Sequence, residues 1–274
     1  MEAKELIKSG KLTEARQQLV EAVKKSPGDL ASRTLLFQVL CSYGEWDKAD
    51  RHLDAIAAQD PSREAGVLGY KNLIQAEKKR VEVIEKNCNA SFLTQTPVYL
   101  ELLSVTRERL AEKKVEDARE LLKQIDGFIP EISGKVNDTP FTGFCDTDTL
   151  LFPFLEAFAH DNYIWVPFEA IRELSIPAPK TLLDLLWIPA HVTTWEGYAM
   201  NCYLPALYPN TFRQENERIK LGRVTDWLPL EGGFARGVGQ HVFAVGDREM
   251  AILEIREVVF NFPGKEMSDD EENN

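Results

Sequence analysis

Few residues of this 274-residue chain lie at the spacings that are typical of catalytic or metal-binding motifs. Its four histidines include no H-x-x-x-H pair and no carboxylate at metal-helix spacing. The nucleophile-elbow, P-loop and dinucleotide-binding motifs are also absent. The four cysteines contain no C-x-x-C pair, which favours reduced, buried thiols over a disulfide or a zinc site. We therefore predict no metal and no cofactor.

Polar residues of the C-terminal half are the remaining candidates for a reactive site. Asp146 and Asp148 could act as paired carboxylates, but the threonines beside them are more typical of a turn before a strand that starts at Leu150. Glycines between residues 232 and 239 lack a P-loop lysine and indicate turns or bulges. A polar cluster could form from Arg223, Asp226, Arg236 and Glu254, and a hydrolase or transferase site would use Arg223, Asp226, Arg236 and His241. Structural ion pairs are the commoner outcome of such charges.

The charge of the chain excludes one class of partner. The formal net charge is −12, and residues 134–274 supply almost all of the acidic excess. A nucleic-acid binder needs a basic face, and the one basic cluster is Lys78-Lys79-Arg80. No apolar run reaches the roughly 20 residues of a membrane span, and the N-terminus has no signal pattern. We predict a cytoplasmic protein that binds no nucleic acid.

The N-terminal half contains a repeat that would position any binding residues. Six residues from Gly10 to Pro27 recur 34 residues later, from Gly44 to Pro61, and a third copy runs from Val115 to Pro130. The period resembles that of the tetratricopeptide repeat, in which paired helices cross at a small residue and a proline ends the second helix. Ala15 and Ala49 would lie at these crossings. Including helices over 64–87 and 97–113, the array has about seven helices.

The tetratricopeptide resemblance also implies a binding groove. In that family the leading helix of each pair lines a concave face, which suggests Arg33 and Phe37 on the second pair and Tyr70 and Ile74 on the third. Phe37 replaces the usual small residue, so it either anchors a partner at the surface or fills a void beside Leu19. The first copy lacks most of its leading helix, and the second half of the chain or a partner must cover that end.

After Pro130 short runs rich in aromatic and β-branched residues alternate with turn residues. Hairpin turns are expected at 161–162, 196–197 and 246–247, and short helices at 168–174 and 180–185. The fold class is therefore α+β: a tetratricopeptide-like helical domain over 1–133, then a mostly antiparallel β-rich domain over 134–264. Residues 265–274, rich in acidic side chains, should form a disordered tail.

Six strings in this second half occur in a recognisable order. They are Phe141–Asp146, Tyr163–Phe168, Asp184–Ala190, Leu204–Pro209, Leu221–Trp227 and Arg236–Gln240. Together, behind helical repeats, they resemble the ImpE/SciE family, also called TagJ. The motif residues are Gly143, Asp146, Trp165, Pro167, Phe168, Trp187, Pro189, Tyr208, Pro209, Gly222, Arg223, Asp226, Trp227, Arg236, Gly237, Gly239 and Gln240.

This resemblance implies an accessory protein of the bacterial type VI secretion system. Members of the family bind the small subunit of the contractile sheath and, in some systems, the AAA+ unfoldase that recycles it; they are not known as enzymes. The expected function is a non-catalytic adaptor, with the hydrolase or transferase and a purely structural module as alternatives. If the repeat groove does not bind the partner, Trp195 and Trp227 are the next candidates. The sequence does not indicate the oligomeric state.

Overall fold

The computed structural model describes residues 2–86 and 88–263; the predicted disordered tail lies outside these residues. Seven α-helices come first, as the repeat predicted, and an eighth lies in the second half of the chain. They are α1 (Ala3–Lys8), α2 (Leu12–Lys25), α3 (Leu30–Ser42), α4 (Trp46–Gln59), α5 (Glu64–Glu85), α6 (Leu100–Ala111), α7 (Val115–Asp126) and α8 (Glu217–Lys220). We call residues 2–126 the helical region and residues 132–263 the β-rich region.

The repeat is visible in both packing and backbone. The three equivalent alanines, Ala15, Ala49 and Ala118, are all 0% exposed. Before each of these helices, one residue takes a left-handed conformation and ends the preceding helix. The first two copies use glycine, whereas the third uses Lys113 at φ +61°. The third copy keeps the left-handed conformation without a glycine, so it is the hardest copy to recognise in the sequence.

Fourteen strands follow or join the helices. They are β1 (Ser91–Phe92), β2 (Ser133–Val136), β3 (Thr139–Thr142), β4 (Phe144–Asp146), β5 (Phe154–Ala159), β6 (Asn162–Pro167), β7 (Ile171–Ser175), β8 (Trp187–Thr194), β9 (Ala199–Pro205), β10 (Asp226–Pro229), β11 (Ala235–Val238), β12 (Val242–Val245), β13 (Arg248–Ala251) and β14 (Glu257–Phe260). Nine form a sheet in the order β1-β6-β5-β9-β8-β7-β14-β2-β3, and β13-β12-β4 and β10-β11 form two smaller sheets.

The predicted α+β fold with a mostly antiparallel sheet is confirmed. The three expected turns connect β5 to β6, β8 to β9, and β12 to β13. One pairing was not predicted: β1 comes from the helical region and runs parallel to β6. The helical region therefore supplies an edge strand to the sheet of the β-rich region.

Some local predictions were wrong. Residues 168–174 form a short 3₁₀ turn followed by β7 rather than a helix, and Ile171 and Leu174 of that strand are buried. The strand expected from Leu150 begins at Phe154, because the intervening residues form turns. All four cysteines are free, but Cys88 is exposed rather than buried.

Two hydrophobic cores hold the molecule together. One lies between the nine-stranded sheet and the sheet β13-β12-β4, with Phe144 and Phe243 among its members. The other joins the helices to the opposite face of β5, β6 and β8, and includes Trp165 and Trp187, which are 0% and 1% exposed. The helical and β-rich regions thus share a core.

The β-rich region also covers the incomplete first repeat. The sequence predicted that either this half of the chain or a partner would do so. The Glu217 carboxylate of α8 accepts hydrogen bonds from the backbone N–H groups of Leu12 and Thr13, at 2.6 and 2.9 Å. Arg223 donates to the Ile7 carbonyl at 2.8 Å. These contacts satisfy free backbone groups at the start of α2 and near the end of α1.

Candidate functional site

A buried cluster of charged residues lies where the helical region meets the sheet, and we call it the closed polar network: Glu77, Arg80, Asp146, Glu156 and His241. Arg80 Nε and Nη2 donate to the two carboxylate oxygens of Glu156, at 2.9 and 2.6 Å. His241 lies between carboxylates, with Nδ1 2.7 Å from Asp146 and Nε2 2.9 Å from Glu156. All five residues are at most 8% exposed.

Neutral side chains complete the network. The Trp187 indole donates to Glu77 at 3.0 Å, the Tyr208 hydroxyl donates to Asp146 at 2.9 Å, and the Tyr163 hydroxyl donates to Glu156. Gly237 allows Tyr208 to take this position, because a Cβ at residue 237 would lie 2.3 Å from its ring. The sequence therefore places bulky donors around every carboxylate of the network.

The electrostatics of the network keep its charges paired. Burial alone would lower the pKa of His241, but Asp146 and Glu156 outweigh it and raise that pKa to about 9. Burial would raise the pKa of Glu156, yet Arg80 and His241 hold it well below its usual range. Burial raises the pKa of Glu77 despite Arg80. Burial likewise raises the pKa of Asp146, although His241 opposes the shift. Two cations thus lie among three buried carboxyl groups.

The network is closed to substrates. The cavity beside it, lined by Trp46, Trp187 and Tyr208 among others, has a volume of about 30 Å³. That space holds a water molecule and no organic substrate. The network connects α5 to β4, β5 and the residue before β12.

The polar site predicted from Arg223, Asp226, Arg236 and His241 is not assembled. Arg223 binds the first helix, Arg236 Nε donates to Asp148 at 2.8 Å, and His241 belongs to the network. Asp226 lies on β10, where all four residues are exposed. The turn predicted at Asp146 and Asp148 is present, but both carboxylates are buried by their partners.

A second cluster of charge is open to solvent. A cleft of about 450 Å³ lies between α2, α3 and α4, with Val20, Leu36 and Leu40 as its apolar floor and the side chains of Arg16, Arg33, Lys48, Arg51 and His52 around it. We call it the basic cleft. Its volume is within the ~300–1,000 Å³ usual for binding pockets.

The cations of the basic cleft differ in their pairing. Arg16 and Lys48 both form ion pairs with Glu45. Arg33 Nη2 instead donates to the Pro27 carbonyl at 2.7 Å. The ion pairs of the described residues include none for Arg33 or Arg51. Burial, then Arg33 and Arg51, lower the pKa of His52.

The structure separates the predicted partner-binding residues. Arg33 lines the basic cleft, but Phe37 is 1% exposed and packs against Tyr70, with ring centroids 5.4 Å apart. The prediction of a surface anchor at Phe37 is therefore wrong, because α5 covers this side chain. Ile74 is 0% exposed and is likewise closed to a partner, whereas Tyr70 is half-buried.

The two tryptophan candidates lie in the β-rich region, away from the repeats. Trp195 is half-buried against Phe262, with ring centroids 5.1 Å apart. Trp227 lies on β10 and is 36% exposed. Neither lines the basic cleft.

Sequence reasoning missed Lys48, Arg51 and His52, although a signal was present. These residues have i, i+3, i+4 spacing and therefore form a stripe along one face of α4. Arg80 was counted only as part of a basic cluster. Its pairing with Glu77 three residues earlier is the local sign that it could be buried.

Comparisons with known proteins agree with this architecture. A profile described as tetratricopeptide repeat matches residues 6–67, and one described as ImpE protein matches residues 138–259. The type VI secretion system accessory component TagJ of Pseudomonas aeruginosa is 33% identical over 260 residues, covering 95% of this chain and 91% of that protein. The chain belongs to the ImpE family.

A solved structure extends the agreement to this ImpE-family fold. The crystal structure of protein VPA1032 from Vibrio parahaemolyticus superposes with a TM-score of 0.85 at 26% identity, covering 97% of this chain and 98% of that one. Several motif residues of the family have structural roles here: Asp146, Trp187 and Tyr208 belong to or contact the closed polar network. Within the described ranges, no helix is both long and apolar enough to cross a bilayer.

Proposed function

We propose that this chain is a non-catalytic, cytoplasmic adaptor of a type VI secretion system, and that its helical region binds the small subunit of the contractile sheath. The main support is that one of its two charged sites is buried and the other is open to solvent. The residues suited to acid–base chemistry are buried, and the cavity beside them has a volume of about 30 Å³, whereas the repeat helices border an open cleft of about 450 Å³.

Two further observations support a binding role. The relative from Pseudomonas aeruginosa is named as an accessory component of this secretion system. Helical repeats also present preformed surfaces, so a docking segment orders little of the adaptor itself. The shared core and the closed polar network hold the helices in place, which favours such a preformed surface.

The test uses the purified full chain and the purified small subunit of the sheath from the same bacterium. We expect co-elution in size-exclusion chromatography and a calorimetric Kd in the micromolar range or below. The large sheath subunit alone is the matched control, and the AAA+ unfoldase is titrated separately. No binding of the small subunit at concentrations of about 100 µM, or binding of only the large subunit, would refute the proposal.

A further inference from the structure

We propose that the basic cleft receives an acidic segment of the partner protein whose apolar side chains contact the cleft floor. This inference deepens the proposed function and rests on its premise that the partner is a protein. It is carried by the charge balance, the geometry and the lining of the cleft.

The charge of the cleft is opposite to that of the whole chain. The protein has a formal net charge of −12, yet four lysine or arginine side chains line the cleft. Arg16 and Lys48 both pair with Glu45, whereas Arg33 and Arg51 belong to none of the ion pairs of the described residues. Arg33 Nε is buried and has no hydrogen-bond partner within the described part of the chain. An acidic ligand is therefore attracted here, whereas residues 134–274, which supply almost all of the acidic excess, repel it.

The cations lie at both ends of the apolar floor. Arg33 is in the first turn of α3, beside Pro27. Arg16 lies near the other end, because it contacts Glu45 and stacks over Tyr43, which follow α3. Arg33 and Leu40 are seven positions apart, which is about 10 Å along a helix at 1.5 Å per residue. A helical ligand with acidic residues seven positions apart, and apolar residues between them, matches this arrangement.

The lining favours a protein segment over a small anion. A site for phosphate or a nucleotide directs its donors at one point, whereas these cations come from three helices and surround Val20, Leu36 and Leu40. Apolar side chains of a partner would contact the exposed part of this floor, which is mainly Val20, because Leu36 and Leu40 are each only 2% exposed. The cations would bind carboxylates on either side. The chain's own acidic residues 266–272 are the competing occupant, and they offer only Met267 to the floor.

The experiment compares two full-length variants of equal charge. Arg33→Glu with Arg51→Glu inverts the cleft, and Lys24→Glu with Lys25→Glu inverts exposed charges at the end of α2, outside the cleft. A second cleft variant, Arg33→Gln with Arg51→Gln, removes the two charges without inverting them, in case the inverted variant misfolds. Circular dichroism checks the fold of all three variants. The probes are the purified sheath small subunit, a synthetic Leu/Glu amphipathic helix of about 15 residues, and its Leu/Lys counterpart.

We expect the cleft inversion to weaken binding of the Leu/Glu peptide and of the small subunit at least tenfold, and the neutral pair to weaken it less. The Lys24/Lys25 variant should stay within about twofold, and added salt should weaken wild-type binding. The inference would be overturned if the cleft variants bound as tightly as the wild type, or if the wild type bound the Leu/Lys peptide as tightly as the Leu/Glu peptide.

The remaining outcomes separate this inference from the proposed function. If the small subunit binds the wild type and the cleft variants equally, the adaptor role stands and the cleft assignment fails. If only the peptide binds, and the cleft inversion abolishes it, the cleft assignment stands and the proposed partner fails. Tighter peptide binding by a chain ending at Pro263, with none by the intact chain, would identify the acidic C-terminal residues as the occupant. Competition by inorganic phosphate or ATP at micromolar concentration would instead indicate a small-anion site.

Discussion

The closed polar network and the basic cleft both contain arginine beside histidine, but their environments are opposite. In the network, carboxylates bind Arg80 and both ring nitrogens of His241, and the pKa of His241 is raised to about 9. In the cleft, Arg33 lies 3.3 Å from His52, whose pKa is lowered by burial and by nearby arginines. Charges sealed from water need partners within the fold, whereas unpaired cations persist where solvent or a ligand can reach them.

Removing Arg80 should have the largest effect. Arg80→Ala leaves Glu156 buried without its bidentate partner, so we expect a loss of about 3–5 kcal/mol in the free energy of unfolding. Urea denaturation followed by circular dichroism measures it. The neighbouring Lys79→Ala removes a half-exposed ion pair with Asp161 and should cost less than about 1 kcal/mol. Similar losses in both variants would show that the network is not a special source of stability.

The protonated state of His241 should make stability depend on pH. Its pKa is raised from 6.5 to about 9 in the folded protein, so its contribution is complete below about pH 6.5 and is lost as the pH rises through about 9. The contribution is on the order of 3 kcal/mol. We expect the stability gap between wild type and His241→Gln to shrink across this window. A constant gap from pH 6 to pH 10 would mean that His241 is neutral in the network.

Overpacking the repeat should have an intermediate effect. Ala49 is 0% exposed on the buried side of α4, the helix that also carries Arg51 and His52. Ala49→Leu should cost about 1–3 kcal/mol, because the added methyl groups force neighbouring helices apart. The exposed Ala58→Leu on the same helix should change stability by less than about 0.5 kcal/mol. Thermal melts that do not distinguish the two variants would contradict the repeat assignment.

Removing a cleft arginine should barely affect folding. Arg51 is exposed, so Arg51→Ala should alter the free energy of unfolding by less than about 0.5 kcal/mol while weakening sheath-subunit binding. The comparison with Arg80→Ala keeps the residue type constant and changes only its environment. A loss of more than about 2 kcal/mol would place Arg51 among the structural residues.

The smallest effect should follow a break between the two regions. We propose that the domain boundary lies between residues 126 and 133, where Phe128 is 55% exposed and open to chymotrypsin. The nicked pieces should stay together in size-exclusion chromatography, because β1 pairs with β6 and both pieces contribute to one core. Separation of the pieces without denaturant would show that the shared core is weak.

Regular elements could be predicted from the sequence because their signals are local. The alanine spacing predicted the helix crossings, and turn residues predicted three hairpins. Where a prediction failed, as at residues 168–174, a short apolar run fitted both helix and strand, and the pairing with β8 and β14 decided the outcome.

The sites were less predictable because their residues come from distant parts of the chain. Arg80 pairs with Glu156, 76 residues later, and lies beside His241, 161 residues later. No local pattern encodes such a meeting. Arg33 was predicted from repeat geometry, but the sequence left Phe37 as either a surface anchor or a buried side chain, because its cover, Tyr70, comes from a helix whose packing the pattern did not specify.

The sequence separations in the closed polar network also order events during protein synthesis. The ribosome completes all seven N-terminal helices before it makes Glu156 and His241, so Arg80 leaves the exit tunnel without its partners. Tetratricopeptide units can pack on their neighbours as they emerge. Here β1 must remain unpaired until β6 has been made, and the inner face of α5 must remain hydrated until His241 has emerged. Closure of the core that the two regions share is therefore coupled to synthesis of the β-rich region.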